Sequence, residues 1–304
     1  MYSTRSCPGC SGSAKKGTPV LTARVTAESM PFELLQDFWR GFRSESAFFS
    51  YARCEHCDLL YCPTYFTSKQ LEGLYSSMPD NTNSEALVAL RRTQEGYFRE
   101  IIETGYDGNR ILEVGADIGL LITAIKSERR TSTIDAIEPN AGVHEQLAIA
   151  IGNSGNVYSD INQLPVGAKF DLITAIHVVD HLVDLPRALE SFKQRLLPGG
   201  HLYLVTHNEK SLLQSLLGRR WPPYCLQHPH LFNPRSMTTV LERAGFCEIE
   251  IRRTTNHFSV RHLVRVAAQL LGLPEAITKI FPPVVLPLRL GNISASARLM
   301  VGSQ

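Results

Sequence analysis

The chain has 304 residues, enough for one large domain and a smaller one, and 43% of them are hydrophobic. The net charge of +2 and the scatter of its basic residues leave no nucleic-acid footprint, with Arg219-Arg220 and Arg252-Arg253 as local pairs near the expected cleft. No apolar stretch reaches about 18 residues, so no membrane span is expected. The start, Met1 to Cys7, lacks an apolar core, so no signal peptide and a cytoplasmic location are expected.

A reducing compartment leaves the seven cysteines needing a use other than disulfides. Four form two matched knuckles, Cys7-Pro8-Gly9-Cys10 and Cys54-Glu55-His56-Cys57. Paired thiolates on two turns at this spacing close a tetrahedral structural zinc site. Cys62, five residues on, could substitute for a ligand, whereas Cys225 and Cys247 look like bystanders. Between the knuckles, Pro31 to Phe49 reads as a helix with Phe32, Leu35, Phe38 and Trp39 on one face. Residues 1–75 are thus expected to form a zinc-knuckle module. A linking segment, 76–105, carries a helix over 84–104 whose Leu87, Leu90, Tyr97, Phe98, Ile101 and Ile102 fall near helical spacing.

The most informative stretch follows, Arg110-Ile111-Leu112-Glu113-Val114-Gly115-Ala116-Asp117-Ile118-Gly119-Leu120. It reads as a strand, a glycine turn and a helix from about Leu120, the unit by which doubly wound α/β domains hold a nucleotide-like ligand. Glycine at 115 and 119 lets the backbone turn tightly and lets a ligand lie against bare peptide. A second apolar run ends in Glu138, placed to accept both hydroxyls of a ribose. The turn lacks the Gly-Lys-Ser/Thr ending of a phosphate loop and the three glycines of a dinucleotide fingerprint. Strand three is expected over 156–159, closed by Asp160. Strand four is expected over Phe170–Ile176, followed by His177-Val178-Val179-Asp180-His181-Leu182. His177 and His181, four apart on a short helix, have the spacing of a metal pair. No acid is read as completing that pair, so no metal is expected there. Leu196-Leu197-Pro198-Gly199-Gly200 then turns into strand five.

These four ordered segments resemble the class I S-adenosylmethionine-dependent methyltransferases. Glu113, Gly115 and Gly119 match the family's acid-x-Gly-x-Gly-x-Gly motif. Asp117 stands at the middle glycine, and Asp tolerates left-handed backbone better than most residues. The resemblance implies a seven-stranded, Rossmann-like doubly wound α/β sheet carrying a small N-terminal zinc-binding module. It also implies an S-adenosylmethionine pocket built from Glu113, Gly115, Asp117, Gly119 and Glu138. Asp160 would hold the adenine amino group, the Ile161 amide would face the ring, and His177 would wall the methionine end. The knuckles followed by Leu59, Leu60, Pro63 and Tyr75 are similar to a zinc-knuckle prefix on methyltransferases of sugars, cell-surface saccharides and natural products.

The methyltransferase domain is expected over 106–304, with a helix over 234–244, strand six over Cys247–Ile251 and strand seven over Ile293–Val301. Inserts 207–233 and 253–290 emerge at the carboxyl edge of the sheet and should carry acceptor specificity. The first insert contains Gln227-His228-Pro229-His230-Leu231-Phe232, similar to a "HEHxxYF" segment of the sugar C-methyltransferases. That similarity makes His228 the candidate base, while Gln227 and Leu231 depart from the pattern. The alternative for His228 is a packing or helix-entry role. The expected activity is methyl transfer to a small-molecule acceptor, with O-methylation of a saccharide, glycoconjugate or natural-product scaffold preferred. C- or N-methylation of a sugar nucleotide and a non-catalytic binding scaffold stay open, as does the oligomeric state.

Overall fold

The structure is a computed structural model that describes residues 2–10, 19–39, 47–76, 86–271, 274, 280–282 and 284–300. Seven strands form its central sheet: β1 (Arg110–Val114), β2 (Thr133–Ile137), β3 (Val157–Tyr158), β4 (Phe170–Ile176), β5 (Leu196–His207), β6 (Phe246–Arg253) and β7 (Asn292–Leu299). They lie in the order β3-β2-β1-β4-β5-β7-β6. β7 inserts antiparallel between β5 and β6, and the contacts among β1 to β5 are parallel. Strands β1 and β4 read as nearly continuous apolar runs because helices cover both faces of the sheet.

On one face the helix Leu87–Glu103 lies on the helix Leu120–Glu128, and Tyr97, Phe98 and Ile101 bury against Leu121, Ile122 and Ile125. On the other, Leu185, Leu189 and Phe192 of the helix Leu185–Arg195 join Met237, Val240 and Leu241 of the helix Pro234–Arg243. The second helix starts sharply because Asn233 caps it: its side chain accepts from Ser236 N, and the Ser236 hydroxyl accepts from Asn233 N. Its Pro234 sits at the first helical position, where a missing N–H costs nothing.

The first 76 residues pack through a third cluster. Trp39, Phe48, Phe49, Tyr51, Tyr65 and Phe66 bury together with Trp221, Tyr224, Leu226 and Leu231 from the insert after β5. Backbone pairing crosses the same seam, since His230–Leu231 completes an antiparallel three-stranded sheet with Leu60–Tyr61 and Ala52–Arg53. Arg5 donates to the carbonyls of Cys62 at 2.9 Å, Val183 at 3.1 Å and Pro229 at 2.6 Å. Arg53 grips Glu209 with two 2.9 Å bonds, and Asn233 Nδ2 donates to the same carboxylate at 2.7 Å. The Glu209 side chain is 3% exposed. Glu209→Ala leaves Arg53 and Asn233 only their bonds to Asp58 and should cost about 1.5 kcal/mol, the low end of the range for hydrogen bonds to charged groups. Chemical denaturation checks this, and an unchanged midpoint would exclude the clamp as a stabilising contact.

Several expectations shift. The helix expected over 31–49 is observed as Phe32–Trp39; residues 40–46 lie outside the described residues, and Phe48 instead bridges to Thr26. Residues 84 and 85 of the linking helix and Val301 of strand seven also lie outside them. β6 is longer than expected and carries a register shift between Cys247 and Glu250. Within the 253–290 insert, Asn256–Ser259 pairs with Val285–Leu288, and a helix spans Val260–Leu271. Among the described residues no helix is long and apolar enough to cross a membrane.

Candidate active site

The carboxyl end of β1 turns through three residues with positive φ, Gly115 at 71°, Asp117 at 47° and Gly119 at 74°. Asp117 thus occupies a left-handed position that Asp tolerates, and the turn keeps its shape without a middle glycine. At Gly115 a Cβ would also meet Val178 Cγ2 at 2.4 Å, so the turn lies directly against the segment after β4. At Gly119 a Cβ would meet Leu147 at 3.0 Å and Ala150 at 3.1 Å.

Glu138, at the end of β2, is drawn to this turn. Its Oε2 accepts from Asp117 N at 2.8 Å and its Oε1 from Asn140 N at 2.9 Å. Each oxygen keeps a second lone pair. Glu113 is buried beneath the turn, and its Oε2 has no partner among the described residues. Burial, then the charges of Asp117 and Glu138, hold its carboxyl well above the usual carboxylate range. Asp160 is exposed and caps the single turn Ile161–Gln163 by accepting from Asn162 N at 2.7 Å, while the Ile161 carbonyl accepts from Arg195 at 2.9 Å. These residues sit at the carboxyl ends of β1, β2 and β3, side by side in the sheet.

At the ends of β4 and β5 the chain assembles a cluster of imidazoles. His177 follows β4 with φ 53°, and its backbone N donates to Val205 O at 2.8 Å. Residues 178–181 form a turn rather than the expected short helix, closed by His181 N to Val178 O. Asp180 sits in that turn at 0% exposure, and neither carboxylate oxygen has a partner among the described residues. An acid therefore does lie beside the His177/His181 pair, contrary to the sequence-based expectation. His207 comes from the end of β5 and His228 from the insert. Ring centroids stand 4.7 Å apart for His177–His207, 5.2 Å for His207–His228 and 4.5 Å for His181–His228. Burial, then His228, pushes His181 down to about 4.

His228 behaves differently. Its Nδ1 lies 2.7 Å from the Pro223 carbonyl and 3.3 Å from Cys225 Sγ, which fixes the ring proton on that nitrogen and turns Nε2 toward the cluster. Burial alone would lower its pKa, but Cys225, Asp180 and the Pro223 carbonyl outweigh it and push the group up to about 9. Its backbone carbonyl accepts from Tyr51 Oη at 2.7 Å, so the N-terminal segment holds this loop in place. Asp180, His207, Cys225 and Asn292 complete the cluster: Cys225, expected to be a bystander, touches His228 three residues on, and only the topology brings in His207 and Asn292.

The knuckle cysteines meet as expected. One ligand atom from each of Cys7, Cys10, Cys54 and Cys57 lies within 4.8 Å of every other. Cys7–Cys57 and Cys10–Cys54 sulfurs are 3.5 and 3.4 Å apart. Four buried thiols in so small a volume are a donor set suited to tetrahedral zinc, whose Zn–S bonds are about 2.3 Å. The bond between Cys7 and Cys57 draws Cys57 down and pushes Cys7 up, so this pair holds one proton that a bound metal would displace. Cys62 stays outside this set, its sulfur toward the carbonyls of Phe49 and His228. The Arg252 charge is already matched by Glu250 and Glu103 at the sheet edge.

Comparison with known proteins places this geometry. Residues 89–250, more than half of the chain, match the family described as Methyltransferase domain. The chain is 29% identical over 151 residues to a ubiquinone biosynthesis O-methyltransferase of Chelativorans sp. (strain BNC1), covering 46% of this chain and 59% of that protein. A protein of the same description from Leptothrix cholodnii is 27% identical over 122 residues, 38% of this chain and 52% of its own. The chain thus spans between half and three fifths of these relatives. Among solved structures, a chain of the Haloferax volcanii complex containing the Trm112 methyltransferase activator aligns with TM-score 0.50 and 12% identity, covering 69% of this chain and 91% of that one. The N-methyltransferase NodS of Bradyrhizobium japonicum WM9, in complex with S-adenosyl-l-homocysteine, aligns with TM-score 0.47 and 15% identity over 73% of this chain and 93% of its own.

Proposed function

The chain belongs to the methyltransferase-domain family, and from that premise we propose that it transfers the methyl group of S-adenosylmethionine to a small-molecule oxygen acceptor. The observation that carries this reading is the turn of Gly115, Asp117 and Gly119 with two carboxylates converging on it. S-adenosylmethionine presents an ammonium, a sulfonium, a ribose diol and an adenine, and the residues present fit those groups. Glu113, buried with an orphaned oxygen, suits a cationic group over the turn. Glu138, already anchored by two backbone amides, keeps lone pairs for the ribose hydroxyls. Asp160 and the Ile161 amide stand at the adenine end, and His177 at the methionine end. When bound, the cofactor supplies an electrophilic methyl on sulfur. Conversion to a non-catalytic scaffold is disfavoured because Asp117 adopts the left-handed geometry that the motif requires.

Transfer is an in-line displacement, so this chain's main task is to align the acceptor oxygen with the methyl. His228, on the insert beside the ends of β4 and β5, is the group we assign to remove the acceptor proton through Nε2. Pro223 and Cys225 hold its ring in place, and Tyr51 holds its backbone. Oxygen is preferred over nitrogen because a hydroxyl needs such a base more than an amine does, and over carbon because Gln227 and Leu231 depart from the C-methyltransferase pattern. The sequence resemblance directs the acceptor toward saccharides, glycoconjugates or natural-product scaffolds. Incubation with labelled cofactor and a panel of sugar nucleotides, glycolipids and phenols tests both parts; no transfer to any member by correctly folded protein would contradict an oxygen acceptor of these classes.

The cofactor assignment has its own test. Glu138→Ala should weaken S-adenosylhomocysteine binding by about 1–3 kcal/mol, the cost of losing charge-assisted hydrogen bonds. Calorimetric titration that finds the affinity unchanged would remove Glu138 from the ribose site.

A further inference from the structure

Besides the knuckle cysteines, the described residues bring together two overlapping groups of metal-ligating side chains near the ends of β4 and β5, His177/Asp180/His207 and Asp180/His181/His228. We propose that His177, Asp180 and His207 form a second metal site, distinct from the cysteine site, for a divalent transition-metal ion of the manganese, iron or zinc class. One ligand atom from each of the three lies within 4.8 Å of the other two. Asp180 is wholly buried with both oxygens unpartnered among the described residues, as is Nδ1 of His177. A buried carboxylate without hydrogen bonds is costly, and a cation offsets that cost directly.

The surroundings already have the form of an outer coordination layer. The Asn292 side-chain amide lies 3.1 Å from His207 Nδ1 and 3.3 Å from His177 Nε2, so one residue holds both ring planes. The ring nitrogens turned away from it, His207 Nε2 and His177 Nδ1, are the two left for a ligand. Metal-binding histidines characteristically donate their other N–H to an acceptor, as His207 can to Asn292 Oδ1, whereas His177 Nε2 faces the amide nitrogen. His207 Nδ1–H donates to Asn292 Oδ1, leaving the Nε2 lone pair free. Coordination through His177 Nδ1 places that ring's proton on Nε2, where a second acceptor oxygen would serve better than the amide nitrogen.

Two imidazoles and one carboxylate leave coordination positions open, the arrangement of a site that receives a substrate rather than one that only braces the fold. His177 and His207 are half-buried, which gives such a position access to solvent. An acceptor hydroxyl bound to the ion would be acidified beside His228, whose ring centroid is 5.2 Å from that of His207. That catalytic use rests on the proposed methyl transfer; metal binding itself does not.

The test uses Mn²⁺ alone as the probe, because manganese favours carboxylate and imidazole over the thiolate knuckles. The full chain, given one equivalent of zinc for its four cysteines and freed of other metal, is titrated with Mn²⁺ and the free ion is followed by electron paramagnetic resonance. The expected result is one bound equivalent, weakened at least about tenfold in Asp180→Asn and His207→Gln. Asn292→Asp, which offers an acceptor oxygen to each ring, should bind at least as tightly as the parent chain. Circular dichroism checks that each variant is folded, and His207→Gln decides the matter if Asp180→Asn is not. No bound manganese in the parent chain, or full binding in whichever of these two variants folds, would overturn the site. Methyl transfer measured with and without added Mn²⁺ is read separately: bound metal with unchanged turnover keeps the site and removes its part in catalysis.

Discussion

Cys54→Ser should yield a chain with one zinc equivalent fewer than the parent and a much lower melting temperature. The four thiols are buried, with Cys57 at 0% and Cys7 at 1% exposure, and they belong to the same apolar cluster as Leu112, Phe192 and Val240 of the main domain. Gly9, in the first knuckle, is packed so closely that a Cβ would meet Val240 at 2.8 Å and the Cys57 sulfur at 3.1 Å. Structural zinc contributes about 10–16 kcal/mol of apparent binding free energy in small knuckles, as large as a domain's whole margin of stability of about 5–15 kcal/mol. The loss should also reach the His228 loop, because Tyr51 and Arg5 hold that loop from the N-terminal side. Elemental analysis and a thermal melt monitored by circular dichroism give the readings. A variant with full zinc content and an unshifted melt would show that these cysteines are ordinary core residues.

His228→Ala should lower turnover about 10²–10⁴-fold while cofactor affinity stays intact, the usual contribution of a positioned general base. The pH profile carries more information than the single rate. A base works only when unprotonated, and the group is pushed up to about 9. Activity should therefore rise with pH and level off above about 9, rather than above the reference value near 6.5. Cys225 is the largest upward influence on His228, so Cys225→Ala should move the rising limb to lower pH. A His228→Ala rate within threefold of the parent, or an unmoved limb in Cys225→Ala, would reduce His228 to a packing residue.

The parallel strands are legible because apolar runs such as Leu172–Ile176 are bounded by turn residues, and the glycine turn after β1 because its φ values demand glycine or aspartate. The helix Pro234–Arg243 is legible from its first proline and the glycine at 245. The helix expected over 31–49 runs too long on paper because Phe48 and Phe49 continue the apolar spacing. Those two rings are instead buried against Tyr51, Tyr224, Tyr65 and Phe66. The imidazole cluster is harder to foresee. Positions 177, 180, 207, 228 and 292 are scattered along the chain, and only the β4-β5-β7 adjacency brings the strand ends together. Asp180 reads as a loop acid until its complete burial is known.

The reach of Arg5 has a consequence for synthesis of the chain. Its guanidinium closes on Pro229 across 224 positions, and Leu60–Tyr61 finds its strand partner only at His230–Leu231. A nascent chain emerging from the ribosome has completed β1 to β5 before the segment that closes the first 76 residues exists. Contacts so distant in sequence form late and slowly. Through most of translation the aromatic side chains of Trp39, Phe48, Phe49 and Phe66 therefore wait without the cover that Trp221 and Tyr224 provide.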